Sequence, residues 1–380
     1  MRWYEVSKML AVFRRAKREP QAPVSIGKTP VAIQHTPGGQ SGDHVRGTAR
    51  FIGGGRRLAT CSGAAWFHGQ YIATVNLLGN AVHTYRFDPS RNVLTLLQTL
   101  LDMDGLDWPE NVACSPDGRV LAITNSRGGA VHLYPIEAES HAIGRTPVAR
   151  IRFPGDDNAH GVSFSRCSRF LAFTTVDNPG YVRVHRMVGD ARGRVEAVPF
   201  QAMRNAFAPL KPKGVDFSPD GRFVAVCYAF NAGARPGKSG GMLAVYPFSA
   251  KAGLEPRPVS RCGVELGLHN PDDLIFLPDG EHLIVTNQEA DTAVLFAMDP
   301  RTGGLRSTRS MLSNPRAQLS YPHGAAVSSD GRYLAIANYG DDKLTVYALT
   351  MDGNPLGRAY GGSQTPHARA RSGNAAATEP

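Results

Sequence analysis

One phrase is written six times along this chain, and a chain built that way can bury its apolar strands only against copies of itself. The clearest copy is Tyr321–Leu349, YPHGAAVSSDGRYLAIANYGDDKLTVYAL. It reads as three short strands, Gly324–Ser328, Tyr333–Ala337 and Leu344–Leu349, separated by a Ser-Asp-Gly turn and a polar loop ending at Asp342. Glycine suits the turn because it accepts the positive φ at which the chain reverses. The middle strand is almost continuously apolar, as a strand covered on both faces should be.

Upstream copies run 271–298, 213–230, 160–187, 110–136 and 63–87. The turn glycine, or Ser168 in its place, falls at 69, 118, 168, 221, 280 and 331, so the steps are 49, 50, 53, 59 and 51 residues. Such periods predict an all-β fold, a β-propeller with six clear four-stranded repeats. More variable segments, Leu94–Leu101, Val148–Phe153 and Arg194–Phe200, read as outer strands, which have one neighbour and face water. The longest step is explained by an insertion, Ala229–Gly241, between the second and third strands of its blade. Thr48–Ser62 reads as one further hairpin, a candidate for part of a seventh blade.

The repeats leave a basic extension at 1–22, one propeller domain at 23–357 and a tail at 358–380 whose lack of periodicity predicts disorder. Closure of the ring is expected from an N-terminal strand. Ile26–Ile33, IGKTPVAI, nearly repeats Ile143–Arg150, IGRTPVAR, and the last blade runs out of strand after Leu349. Thr29–Gln34 is therefore expected as the outer strand of the last blade, antiparallel to Leu344–Leu349.

The formal charge of +10 raises the question of nucleic acid or membrane. Residues 1–20 hold six Lys/Arg against two Glu, and no basic stripe with interleaved aromatics appears in the body, so no nucleic-acid role is expected. Trp3, Val6, Leu10 and Phe13 have helical spacing, so residues 3–18 read either as a short amphipathic helix or as a solvated basic tail. No stretch approaches a membrane span, and Met9–Phe13 is too short for a signal-peptide core. Five cysteines without CxxC pairing fit free thiols in a reducing cytoplasm.

In a propeller the first strand of each blade is innermost, so the residue before it stands at the mouth of the central channel. Counting seven back from the turn aspartate or its equivalent gives Cys61, Glu110, His160, Lys213, Asp272 and His323, of which five are ionisable polar residues. Counting eight forward gives Asn76, Asn125, Thr175, Tyr228, Asn287 and Asn338. Asparagine there is the natural strand terminator, because it hydrogen-bonds its own turn. The insertion brings Arg235 and Lys238 to the same face.

The stretches SPDGRFVAV, LPDGEHLIVTNQEADTAVLFAMDPRTGGL and SSDGRYLAIANYGDDKLTVYAL resemble the seven-bladed β-propeller lactonases of the 6-phosphogluconolactonase and muconate cyclase type, loosely over 58–357. The resemblance implies seven blades, a place in carbohydrate metabolism and hydrolysis of an anionic sugar lactone or related small acid, with no cofactor. Such a reaction needs a base for water and donors for the developing oxyanion. His160 or His323 suits the base, Asp272 or Glu110 can orient it or replace it, and Lys213, Arg235 and Lys238 can hold an anion. Two alternatives stand beside this. One is a Ca²⁺-dependent site like that of six-bladed gluconolactonases, from Glu110, Asn111, Asp272 and Asp273. The other is a non-catalytic propeller binding a protein or carbohydrate on its top face.

Overall fold

The computed structural model describes residues 48–52 and 60–349, apart from 102, 154–157, 178, 190–194, 231–239 and 314–316. Strand β1 (Thr48–Ile52) precedes the first repeat. Blade 1 is β2 (Cys61–Phe67), β3 (Tyr71–Asn76), β4 (Ala81–Asp88) and β5 (Val93–Leu101); blade 2 is β6 (Pro109–Cys114), β7 (Val120–Asn125), β8 (Ala130–Pro135) and β9 (Ala149–Arg152). Blade 3 is β10 (Ala159–Phe164), β11 (Phe170–Thr175), β12 (Tyr181–Gly189) and β13 (Val195–Arg204). Blade 4 is β14 (Lys211–Phe217), β15 (Phe223–Ala229), β16 (Gly241–Ser249), β17 (Gly253–Leu254) and β18 (Ser260–Cys262), the last two both pairing with β16. Blade 5 is β19 (Pro271–Phe276), β20 (His282–Asn287), β21 (Thr292–Met298) and β22 (Leu305–Ser313). Blade 6 is β23 (Pro322–Val327), β24 (Tyr333–Asn338), β25 (Lys343–Ala348) and, as its outermost strand, β1.

The innermost strands touch in one cycle, β2 to β6, β10, β14, β19, β23 and back to β2. Six blades therefore close the ring, and the seventh implied by the family resemblance is not found among the described residues. Thr48–Ser62 is not a hairpin: its first half completes blade 6 and its end starts blade 1. Ring closure by an N-terminal strand holds in kind, but the strand is Thr48–Ile52; the expected Thr29–Gln34 lies outside the described residues, as do the segments 1–22 and 358–380.

The middle strands are buried along nearly their whole length, since each is covered by a blade on either side. One apolar cluster fills each blade–blade interface, for example Phe223, Leu243, Leu274 and Phe296 between blades 4 and 5. The turn positions 69, 118, 168, 221, 280 and 331 all have positive φ, and Ser168 accepts it at 57°.

Candidate active site at the channel mouth

The pairing of each innermost strand with its neighbour slips at one point near its start: at Glu110, at His160–Gly161, at Lys213–Gly214, at Asp272–Asp273 and at His323–Gly324. A bulge re-aims a side chain out of the ladder. In blades 2 to 6 it turns one side chain each into the channel. In blade 1 the slipped residue is Ser62, between the pairs Cys61↔Asn76 and Gly63↔Val75. The count that pointed to Cys61 was one residue off, because the first turn of blade 1 is one residue shorter. Phe67 pairs with Tyr71 there, whereas the equivalent turns span the whole Ser-x-Asp-Gly-Arg unit. Cys61 is instead buried in the cluster between blades 6 and 1.

Directly beneath the mouth the innermost strands approach one another backbone to backbone. A Cβ on Gly161 would stand 2.4 Å from the Lys213 carbonyl oxygen, and one on Gly214 2.6 Å from Asp273 Cα. Gly63 and Gly324 are as crowded, and Asn111 and Asp273 complete the belt. The Asn111 side chain hydrogen-bonds to Asp273, so the two plug the axis between them. Beyond the belt is a cavity of about 350 Å³, into which Asn111, Ser163, Asp216 and Asp273 face.

Backbone positions at the mouth are tied by threonines of the second strands. The Asn111 N–H donates to Thr124 Oγ1 (2.9 Å), whose hydroxyl donates to the His160 carbonyl (2.6 Å). Thr286 likewise accepts from the Asp273 N–H (3.1 Å) and donates to the His323 carbonyl (2.7 Å). Thr174 donates to the Lys213 carbonyl. Each hydroxyl thus joins its own blade to the next.

Five of the expected side chains converge. His323 Nε2 is 3.2 Å and His160 Nε2 3.4 Å from Glu110 Oε1. Asp272 Oδ2 is 2.9 Å from His323 Nδ1, and Asp272 Oδ1 is 3.5 Å from His160 Nε2 and 3.7 Å from Lys213 Nζ. Lys213 Nζ lies 3.2 Å from His160 Nε2. The imidazoles stack with centroids 5.3 Å apart, and Tyr339 stacks on the outer face of His323. Glu110 Oε2 accepts a hydrogen bond from the Ser126 hydroxyl. Every member is buried, from 1% exposure at Asp272 to 8% at Glu110 and Lys213. Both Asp272 oxygens and His160 Nδ1 lack an aligned hydrogen-bond partner among the described residues.

Removal from water makes these groups depend on one another. Burial opposes ionisation of Glu110, but the His323 hydrogen bond and the charges of both histidines prevail and hold its carboxyl at about 2. Burial likewise opposes Asp272, and the charges of His323, His160 and Lys213 carry it well below the usual carboxylate range. His323 is raised to about 10 against burial by Asp272 and Glu110. His160 moves the other way, lowered by burial and by the neighbouring Lys213 charge.

Arg235 and Lys238 lie outside the described residues. Asn111 and Asp273 are on the far side of the belt from Glu110 and Asp272: Asp273 Oδ2 accepts from the Ala325 N–H and Asn111 Oδ1 from the Val112 N–H. The four-oxygen Ca²⁺ arrangement is therefore not assembled. The asparagine column is structural: Asn125, Asn287 and Asn338 each accept from the N–H of a residue in the loop entering their blade. Sequence reasoning missed Ser126, Tyr339 and the threonine column. The signal was one residue to either side of the asparagines, where strand alternation turns side chains the other way.

Residues 194–321 match the family model described as lactonase, 7-bladed beta-propeller, a stretch that contains Lys213 and Asp272 but not Glu110, His160 or His323. No curated protein sequence matches the chain. Among solved structures, it is similar to a protein of Bacteroides uniformis ATCC 8492 provisionally assigned as a 6-phosphogluconolactonase, at 14% identity and TM-score 0.50, over 65% of this chain and 69% of that one. Kuenenia stuttgartiensis hydrazine synthase aligns at 16% identity and TM-score 0.50, over 76% and 84% of the two chains. The periplasmic gluconolactonase PpgL of Pseudomonas aeruginosa aligns at 18% and TM-score 0.47, over 73% and 88%. At these identities the two structures at TM-score 0.50 speak for the fold alone, which is shared by unrelated chemistries. The family match supports lactone hydrolysis in general terms, and over residues 194–321 this chain resembles the β-propeller lactonases.

Proposed function

We propose that the chain hydrolyses an anionic sugar lactone, or the lactone of a related small acid, at the channel mouth. The observation that carries this reading is the convergence of two imidazoles, two carboxylates and an ammonium group on one buried point, each from a different blade. Opening a lactone requires a held and deprotonated water and positive charge facing the carbonyl oxygen. The histidines, oriented by Glu110 and Asp272, hold the water; Lys213 supplies the positive charge, either to the oxyanion or to the substrate's own anionic group. Arg235 and Lys238 are proposed as further anion contacts. All five cysteines are free, which suits a reducing compartment, and we place the protein in the cytoplasm. Among the described residues no helix is long and apolar enough to cross a membrane.

The test is a panel of lactones, including 6-phosphogluconolactone, at neutral pH. Replacing both His160 and His323 by alanine should lower kcat by roughly 10²–10⁴, with retained folding checked by circular dichroism because both rings are buried. Lys213→Ala should chiefly raise KM. A folded double variant with full activity, or a panel without turnover, would end the proposal.

A further inference from the structure

The sequence implied a site without a cofactor, but the donor atoms at the mouth are arranged as a cation would arrange them. We infer that Glu110, His160 and His323 hold a divalent transition-metal ion of the Zn²⁺ class. One nitrogen from each imidazole and one carboxylate oxygen lie within 4.8 Å of one another. The Glu110 oxygen is 3.2 and 3.4 Å from the two Nε2 atoms. Tetrahedral ligands about 2.0–2.1 Å from Zn²⁺ stand roughly 3.3 Å apart, so these two edges already have the spacing of a coordination polyhedron.

The atoms that would not face the ion are engaged where a metal site needs them. Ser126 occupies the second Glu110 oxygen, leaving Oε1 as the inward donor. Asp272 Oδ2 lies 2.9 Å from His323 Nδ1, on the side of the ring away from the Glu110 contact, where a carboxylate can orient a ligating imidazole once the two align. Asp272 itself is buried with neither oxygen in an aligned hydrogen bond, and its negative charge is met only by the His323 and His160 rings and the Lys213 ammonium around it. The three ligands come from the starts of β6, β10 and β23, and the Thr124 and Thr286 hydroxyls anchor the backbone carbonyls of His160 and His323. Two nitrogens and one oxygen suit a borderline first-row ion and not Ca²⁺, which takes oxygen ligands.

Lys213 decides how tightly such an ion is held. Its ammonium, 3.2 Å from His160 Nε2 and 3.7 Å from Asp272 Oδ1, is the cation that now stands beside these donors, and a divalent ion must compete with it. Three ligands leave a coordination position open for water or a carbonyl oxygen, which is where the inference touches catalysis and rests on the hydrolase reading.

The full-length protein is stripped with chelator and titrated with Co²⁺, following the visible absorption of the bound ion, and Zn²⁺ stoichiometry is measured after gel filtration. One equivalent is expected, lost in Glu110→Gln and His323→Ala. Asp272→Asn should weaken binding by roughly 10- to 100-fold. Lys213→Met keeps the shape and removes a like charge, so it should bind more tightly than the native chain. These last two variants keep the test open if the alanine variant fails to fold. A native chain that retains no ion overturns the inference, as does binding that is indifferent to both Asp272→Asn and Lys213→Met. Lactone turnover by the stripped protein at the loaded rate overturns the ion's role and leaves the hydrolase reading standing; a tightly held ion without turnover of any lactone does the reverse.

Discussion

Single residues matter in this channel because burial leaves each ionisable group with a few partners and no water. Asp216, below the belt, shows the consequence for stability. It accepts from the Ser163 hydroxyl and from the N–H groups of Phe217 (2.9 Å) and Phe276 (2.8 Å), yet burial outweighs these bonds and pushes its carboxyl up from 3.8 to about 6. A folded-state value above the unfolded one means that the contribution to stability is complete below about 3.8 and is lost as pH rises through 6. The loss is on the order of 1–3 kcal/mol. Asp216→Asn should therefore flatten the fall in melting temperature of the native chain between pH 4 and 6, and parallel profiles would dismiss the argument. Which residues face the channel was largely legible in sequence, since five of the six blades share one turn length, and counting back from the turn finds Glu110, His160, Lys213, Asp272 and His323. Blade 1 breaks the count by one residue: its slipped position is Ser62 and not Cys61, and the Ser62 hydroxyl donates to the Val75 and Pro109 carbonyls. What could not be read was how closely these side chains pack and how fully they are buried, because mutual distance and burial depend on the number of blades in the ring.

At the scale of the strand, two kinds of glycine do different work. Gly221 sits in a turn at φ +71° with nothing near its absent Cβ, so Gly221→Ala meets only backbone strain, about 1 kcal/mol. Gly161 has ordinary backbone but no room, since a Cβ would stand 2.4 Å from the Lys213 carbonyl oxygen. Gly161→Ala should cost at least as much, roughly 1–3 kcal/mol. It should also shift Lys213, so KM for an anionic lactone rises in this variant and stays level in Gly221→Ala. Equal KM values in two folded variants would show that the belt does not position the mouth. The turn glycines announce themselves by their period, and Gly161, Gly214 and Gly324 share it, each seven residues before the turn position, but what they do there follows from a bulge, which is a property of pairing and not of composition. The threonine column was within reach, since Thr124, Thr174 and Thr286 recur one residue before the strand terminators.

Across the whole molecule, the ring is held shut by its first described strand. β1 pairs with β25 from Thr48↔Tyr347 to Ile52↔Lys343, so blade 6 is built from both ends of the domain. The same seam carries the Thr60 N–H to Asp342 Oδ1 bond at 2.5 Å, the Trp66 indole N–H to the Ala326 carbonyl at 3.1 Å, and an apolar cluster joining Cys61, Ile72 and Phe87 to Ala335, Leu344 and Val346. Without β1 the last blade would end in an exposed edge, a ready template for another chain. The near repeat of IGRTPVAR in IGKTPVAI pointed to residues 29–34 for this role, but likeness to the approach of another outer strand does not determine which segment reaches β25. Chain length does, because Ile52 lies eight residues before Thr60 and the link to β2 is short. Deleting residues 1–47 should therefore leave the melting temperature nearly unchanged. Deleting 1–52 should lower it, by roughly 2–4 °C for each kcal/mol lost, and should promote self-association through the bared edge of β25. Because His323 belongs to the same blade, the longer deletion should also weaken Co²⁺ binding at the mouth while the shorter one leaves it intact. Two truncations with equal melting temperatures would remove β1 from the closure.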